Sequence, residues 1–155
     1  MENLRVNTIT AISALFAQLH ENEIEICCRI RCEQSAGTFF GQDSMRDFAA
    51  VVKVDGNKLS RMAATGRILM ECVGLTEKEL SGRDFATLQY SKVALLAPCF
   101  DRDGNSVVPD FSPRKILSKS QKLSKADLAV WIKSVTAGRS SRKPDEPEKE
   151  GASGS

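Results

Sequence analysis

The chain has 155 residues, of which 41% are hydrophobic and 27% are charged, and its formal net charge is +2. This length suits one globular domain, since domains usually contain about 100 to 150 residues. No run of about 18 apolar residues occurs, so no transmembrane helix is expected. The N-terminus carries an acid at Glu2 and lacks an apolar run before a cleavage site. No secretory signal is therefore expected, and a cytoplasmic location is predicted.

The five cysteines are an odd number, and three of them fall between positions 27 and 32. We therefore expect reduced, buried thiols and not a disulfide framework. Cys28 and Cys32 are four residues apart, and His20 is the only histidine. No CxxC pair and no second histidine completes a tetrahedral ligand set. Neither a metal nor another cofactor is predicted.

Apolar residues recur at helical spacing between residues 4 and 33 and are interrupted at Glu23. This pattern predicts one long amphipathic helix or two helices in line. Gly37 is expected to end it. Such a helix packs against the core or forms a seam with a second copy of the chain.

Two shorter helices are predicted next. Asp43 or Ser44 is expected to cap the first, which runs to about residue 52. Its inward side chains are predicted to be Phe48, Val51 and Val52. A turn at residues 55–57 leads into a second helix over about residues 56–72, and Gly74 stands where glycine commonly ends a helix.

The remaining elements are also helical. A capping-box pattern at Thr76 predicts one short helical turn, and a helix over about residues 85–96 is expected to stop at Pro98. Residues 101–105 form a predicted loop, and two more helices are expected to open at Ser112 and Ser124. The only candidate strand, residues 106–108, is too short to define a sheet.

Residues 45–64 fit the spacing of a helix-turn-helix, in which two short helices are joined by a tight turn. The residues expected to pack the two helices together are Phe48, Ala49, Val52, Val54, Leu59 and Met62. Lys53 occupies the turn position that is most often glycine.

The second of these helices, about residues 56–71, would be the recognition helix, with Asp55 as its cap. Small residues permit close approach to a major groove, Asn pairs with adenine, and Arg pairs with guanine. The predicted base contacts are Gly56, Asn57, Ser60 and Arg61. The predicted phosphate contacts beside them are Lys53, Lys58 and Arg67. A helical corner whose polar face contacts only water fits the same spacing.

The net charge of +2 contains one strongly basic segment. Residues 112–143 hold nine basic side chains and one acidic, whereas residues 144–155 hold four acidic and one basic. Clustered positive charge favours a polyanionic partner, because each neutralised phosphate releases counterions. A solvated helix face gives the same pattern. Further predicted phosphate contacts are Arg114, Lys115, Lys119, Lys122 and Lys125.

A resemblance to a known group rests on three segments in order: Glu25-Ile26, the stretch at residues 45–64, and Leu88 to Leu96 with its Tyr-Ser-Lys sequence. Together they resemble small phage and plasmid DNA-binding proteins with a helix-turn-helix of the ParB and KorB partition-protein type. The resemblance implies an all-helical, often dimeric, sequence-specific DNA binder of a bacterial mobile element, serving transcription, partition or replication control. Cys27 stands where such proteins prefer glycine.

The sequence therefore predicts an all-α protein with a disordered C-terminal tail. Residues 1–40 form the N-terminal helical element and residues 41–98 the helix-turn-helix domain. Residues 99–137 form a loop and basic helices, and residues 138–155 form the tail, where nothing apolar remains to be buried.

Catalysis is not predicted, because the chain has one histidine and no Gly-rich phosphate loop. The predicted partners are double-stranded DNA and a second copy of the chain, without a membrane or a small-molecule substrate. The alternative is a protein-interaction adaptor, such as a phage-encoded inhibitor or assembly factor. In that case the basic segment would provide solubility.

Overall fold

A computed structural model describes residues 3–85 and 87–140, with side chains described as far as residue 137. The chain is mostly helical, and the all-α prediction is confirmed. Residues 3–85 and 87–140 contain eight α-helices, namely α1 Ile9–Phe16, α2 Leu19–Ala36, α3 Met45–Val52, α4 Gly56–Arg67, α5 Glu77–Leu80, α6 Tyr90–Val93, α7 Pro113–Lys122 and α8 Lys125–Ser140.

Shorter helical turns complete the architecture. The 3₁₀ turns are Phe39–Gly41, Arg83–Phe85 and Ala94–Cys99, and a π-helical turn, Ile68–Cys72, continues α4. Within the described ranges no strand forms, and a single antiparallel bridge joins Phe100 to Ser106. No helix in the same ranges has both the length and the apolar character needed to cross a membrane.

The predicted helix boundaries are confirmed where a local capping signal sets them. Ser44 and Ser112 each accept the backbone N–H three residues ahead, at the starts of α3 and α7. Thr76 forms the full capping box with Glu79. Gly74 has a φ of 80°, in the left-handed region that glycine tolerates at a helix end.

The N-terminal pattern forms two helices and not one. α1 ends at Phe16 and α2 begins at Leu19. The backbone is again non-helical at Asn22, whose φ is −114°, next to the Glu23 that interrupts the apolar pattern. The Asn22 side-chain amide donates to the carbonyl oxygens of Leu15 at 3.2 Å and Gln18 at 3.1 Å. These bonds connect the first turn of α2 to the end of α1.

Three further predictions are wrong. The helix predicted over residues 85–96 is α-helical only in α6, because the Glu23 carboxylate binds the N–H of Tyr90 at 2.8 Å and sets the start of the helix there. Val51 is 46% exposed and does not point inward. α8 continues through Ser140, so the predicted tail does not begin at residue 138. Residues 141–155 lie outside the described residues.

The hydrophobic core consists of two clusters that share α2. The N-terminal cluster joins α1, α2, α3 and the first part of α4, and its buried members are Ile12, Ile26, Cys27, Ile30, Phe40, Phe48, Leu59, Met62 and Ala63. The C-terminal cluster joins the other face of α2 and residues 68–72 to α7 and α8, and its fully buried members include Leu69, Leu96, Ile116, Leu117 and Leu128.

The helices α2 and α4 touch closely at Gly66. A Cβ atom at Gly66 would lie 2.4 Å from the carbonyl oxygen of Cys27 and 2.8 Å from the Cβ of Arg31. Only a residue without a side chain therefore permits this approach of two backbones. The contact fixes the position of α4 in the molecule.

An ion pair supports the same contact between elements. The Arg31 guanidinium, on α2, makes two hydrogen bonds to the Glu71 carboxylate, at 2.6 and 2.8 Å. These bonds hold the pKa of Glu71 below its ordinary value of 4.5. Glu71 is 43% exposed, so the pair is worth about 1 kcal/mol or less.

Replacing Glu71 by glutamine should reveal this pair as a pH-dependent loss of stability. Because the folded-state pKa is lower than the unfolded one, the stabilisation is present above about 4.5 and is lost as the pH falls through the folded value. Urea unfolding of the parent and E71Q should therefore differ at neutral pH and converge in acid. Glu21→Gln, at an exposed site, is the control. A difference that persists in acid would contradict the pairing.

Candidate nucleic-acid interface

The turn between α3 and α4 adopts the backbone that the sequence pattern requires. Lys53 has a φ of 59° and ends α3 in the left-handed region, and its N–H donates to the carbonyl oxygen of Ala49. The N–H of Val54 donates to the same oxygen at 3.2 Å. Asp55 then caps α4 by accepting the N–H of Asn57 at 3.1 Å. A residue other than glycine thus occupies the glycine-type turn, at a cost of about 1 kcal/mol.

Lys53→Gly should relieve the left-handed backbone strain at the turn between α3 and α4. Removing the Cβ relieves the left-handed strain, so the free energy of unfolding should rise by about 0.5 to 1 kcal/mol. Lys53→Ala keeps the strain and serves as the control in urea unfolding. A glycine variant less stable than the alanine variant would contradict the assignment.

Aromatic packing sets the position of α3. The Phe40 and Phe48 rings stack with centroids 4.5 Å apart, and Phe48 is fully buried. Phe40 itself has a left-handed backbone, with a φ of 56°. Its N–H donates to the carboxylate of the buried Glu33. Glu33 also accepts the Thr38 hydroxyl at 2.9 Å. The α3–α4 unit, residues 45–67, therefore rests on α2 through buried contacts.

The four predicted base-contacting residues are all exposed on α4. Gly56, Asn57, Ser60 and Arg61 lie in its first two turns. Asn57 and Arg61 are on the face opposite the buried Leu59, Met62 and Ala63, whereas Gly56 is exposed as the first residue of the helix. The side chains of Asn57, Ser60 and Arg61 make no hydrogen bond or ion pair with any residue in the described ranges. Their donors and acceptors are available to a ligand.

The predicted phosphate contacts beside α4 differ in their surroundings. Lys53 is exposed, whereas the Lys58 ammonium lies 6.0 Å from the centroid of the Tyr90 ring. Arg67 uses one guanidinium nitrogen on the carbonyl oxygens of Asp101 at 2.8 Å and Arg102 at 3.1 Å. Arg67 therefore anchors the 101–105 loop to α4 as well as carrying charge.

The C-terminal basic residues lie on α7 and at the start of α8. Lys115, Lys122 and Lys125 are exposed. Arg114 pairs with the Glu79 carboxylate at 2.9 Å. Lys119 lies against two aromatic rings, with its ammonium 5.8 Å from the Phe111 centroid and 5.6 Å from the Trp131 centroid. The four lysines among these residues are together called the lysine surface: Lys115, Lys119, Lys122 and Lys125.

The structure brings the predicted base contacts together on one helix but places the two sets of phosphate contacts on different parts of the core. α3 and the start of α4 pack on the N-terminal cluster, whereas α7 and α8 pack on the C-terminal cluster. Two contacts could not be predicted from the sequence. The Tyr90 ring lies beside the Lys58 ammonium, although the two residues are 32 positions apart. The carbonyl oxygen of the exposed Arg102 accepts a hydrogen bond from Arg67 at the end of α4. No local pattern signals either contact.

The cysteine thiols lie in the hydrophobic core. All five are buried, and burial raises the pKa of Cys28 to about 12 and that of Cys99 to about 11. The thiols are therefore protonated near neutral pH, as expected for small core residues. Within the described residues no group of three or more potential ligands could hold a metal ion.

A cleft of about 690 Å³ lies outside the α3–α4 unit, between the start of α2 and residues 80–91. Its walls include the carboxylates of Glu21, Glu23 and Glu25. Glu23 binds the N–H of Tyr90, and Glu25 pairs with Arg29 at 2.9 Å. An acidic wall repels a polyanion, so this cleft is not part of the candidate interface.

Comparison with known proteins adds no assignment. No family model, no curated protein and no solved structure matches this chain.

Proposed function

We propose that this protein is a sequence-specific double-stranded DNA-binding protein in which α3 and α4 act as a helix-turn-helix. α4 enters the major groove, where Arg61 pairs with a guanine, Asn57 pairs with an adenine, and Gly56 and Ser60 allow close approach. Lys53 and Lys58 hold adjacent phosphates, which position the helix without specifying sequence.

The observation that carries the proposal is the exposed face of α4. The side chains of Asn57, Ser60 and Arg61 are exposed there and have no partner within the described residues, while Leu59, Met62 and Ala63 of the same helix are buried. The left-handed turn at Lys53 gives further support, since it supplies the tight connection that this motif requires. A helix held by a buried contact and presenting unpaired Asn and Arg side chains suits recognition of base edges.

The wider role follows from the resemblance described above. The protein would act in the cytoplasm as a non-catalytic regulator of a bacterial mobile element, in transcription, partition or replication control. It would bind as a homodimer, so that two copies of α4 reach successive major grooves. Binding sites of such dimers are palindromic, with half-sites about one helical turn apart.

Selection of bound duplexes from a random pool tests this proposal. The purified full chain should enrich one sequence, and a palindrome would establish two-fold binding. The variant Asn57→Ala with Arg61→Ala, matched in fold because both side chains are exposed, should enrich none. A parent chain that enriches no sequence would contradict specific recognition. A parent chain that also fails to bind a heparin column would contradict polyanion binding and favour the adaptor alternative.

A further inference from the structure

The lysine surface carries four positive charges without an anionic partner in the part of the chain that the structure describes. None of Lys115, Lys119, Lys122 and Lys125 forms an ion pair there. Lys119 is also oriented by the Phe111 and Trp131 rings, which meet edge to face at 5.3 Å. Unpaired charges held close together create a strong local potential for an anion.

The sequence contains an acidic segment of complementary charge close by. Residues 145–150 hold Asp145, Glu146, Glu148 and Glu150 against a single Lys149, and they follow Pro144. Their net charge is −3, opposite to the +4 of the lysine surface. The segment therefore has the charge of a competing polyanion.

The length of chain allows the two to meet. Lys119 lies against Trp131, and Ser140 comes nine residues after Trp131, which is about 14 Å along the helix. Beyond Ser140, the chain can reach up to about 17 Å at residue 145 and about 35 Å at residue 150. An acidic segment that leaves the end of α8 can therefore return along this helix to Lys119 and Lys122.

We propose that the acidic segment, residues 145–150, binds the lysine surface of the same chain and competes there with DNA. The chain's own acidic segment is the expected ligand of this surface, because its charge is opposite to that of the lysines and the connecting chain is long enough to reach them. A tethered anion acts at a high effective concentration even when each ion pair is weak. Only the competition with DNA rests on the proposed function, and the contact itself does not. This intramolecular contact would weaken binding to random duplexes, so that the contacts of α4 determine which sequence is bound.

Zero-length carbodiimide cross-linking of the full chain tests the contact without DNA. This reagent joins a carboxylate to a lysine amine only when the two touch. In the monomeric product, mass spectrometry should find links from residues 145–150 to the lysine surface, and these should vanish at about 1 M salt, where screening is strong. Links made equally often to Lys53, Lys78 and Lys92, which lie on other elements, would overturn the proposal.

Neutralising the segment tests the competition. The variant Asp145→Asn, Glu146→Gln, Glu148→Gln should bind a short random duplex about fivefold more tightly than the parent at low salt, with the gain fading as salt rises. The control Glu21→Gln, Asp43→Asn, Asp103→Asn gains the same net charge at exposed sites elsewhere and should bind as the parent does. Equal gains in both variants, or none in the first, would overturn the competition. If no form binds duplex, the proposed function fails, and the cross-links alone decide the intramolecular contact.

Discussion

Replacing Gly66 by alanine should lower the free energy of unfolding by about 1 to 3 kcal/mol, the usual cost of forcing extra atoms into a packed core. The added Cβ would meet the carbonyl oxygen of Cys27 at 2.4 Å. That oxygen belongs to the backbone of α2 and cannot rotate away as the end of a side chain can. α4 would therefore have to move away from α2, and both hydrophobic clusters would pack less tightly.

A loss of stability in Gly66→Ala would be informative, because intrinsic helix propensity alone predicts that alanine raises stability at this position. Alanine is favoured over glycine inside a helix by about 1 kcal/mol. At Gly56, the first residue of α4, a Cβ would meet nothing within 4 Å. Gly56→Ala is therefore the matched control, and it should leave stability unchanged or raise it slightly.

Urea unfolding followed by far-ultraviolet circular dichroism measures both variants. Gly66→Ala should unfold at a lower urea concentration than the parent, whereas Gly56→Ala should not. Equal stability of Gly66→Ala and the parent would show that α2 and α4 are not in close contact. Because both substitutions lie in the same helix, a general effect of alanine would move both in one direction.

The elements that could be predicted from sequence are those set by neighbouring residues. Ser44, Thr76 and Ser112 begin their helices as their patterns indicate, since a capping side chain bonds to the backbone three residues ahead. The start of α6 could not be predicted, because the group that binds the N–H of Tyr90 is Glu23, 67 positions away. Long-range contacts override local propensity at such sites.

The candidate site divides in the same way. The exposed face of α4 follows from helical periodicity, so the accessibility of Asn57 and Arg61 could be predicted. The sequence could not predict which basic side chains already have partners within the fold. Arg67 binds the carbonyl oxygens of the 101–105 loop and Arg114 binds Glu79, so two of the predicted phosphate contacts already have partners. Charge in a sequence indicates where a polyanion is attracted, whereas partners in the fold decide which cations are free.

The near-neutral net charge has a different meaning once the charges are placed. The lysine surface and the exposed face of α4 lie on parts of the chain that pack on different clusters. A basic surface that is separate from the reading helix increases affinity for every duplex alike. Under the proposed function, specific binding would then depend on the four proposed base contacts, and among these Arg61 carries the only charge.

Arg61→Ala should therefore weaken binding to the selected sequence by about 1 to 3 kcal/mol, while binding to random duplexes should change little. The guanidinium makes no hydrogen bond to a described residue, so the variant should unfold like the parent. The control Arg83→Ala removes an equal charge from an exposed site outside the α3–α4 unit and should bind the selected sequence normally.

The double variant Lys119→Ala, Lys122→Ala should behave in the opposite manner. It should weaken binding to all duplexes equally and reduce the slope of the salt dependence by about one unit for each phosphate that is no longer neutralised. Gel-shift titrations over a salt series distinguish the two kinds of contact. If Arg61→Ala bound the selected and random duplexes with the parent's preference, α4 would not be the recognition helix, whatever the lysine surface binds.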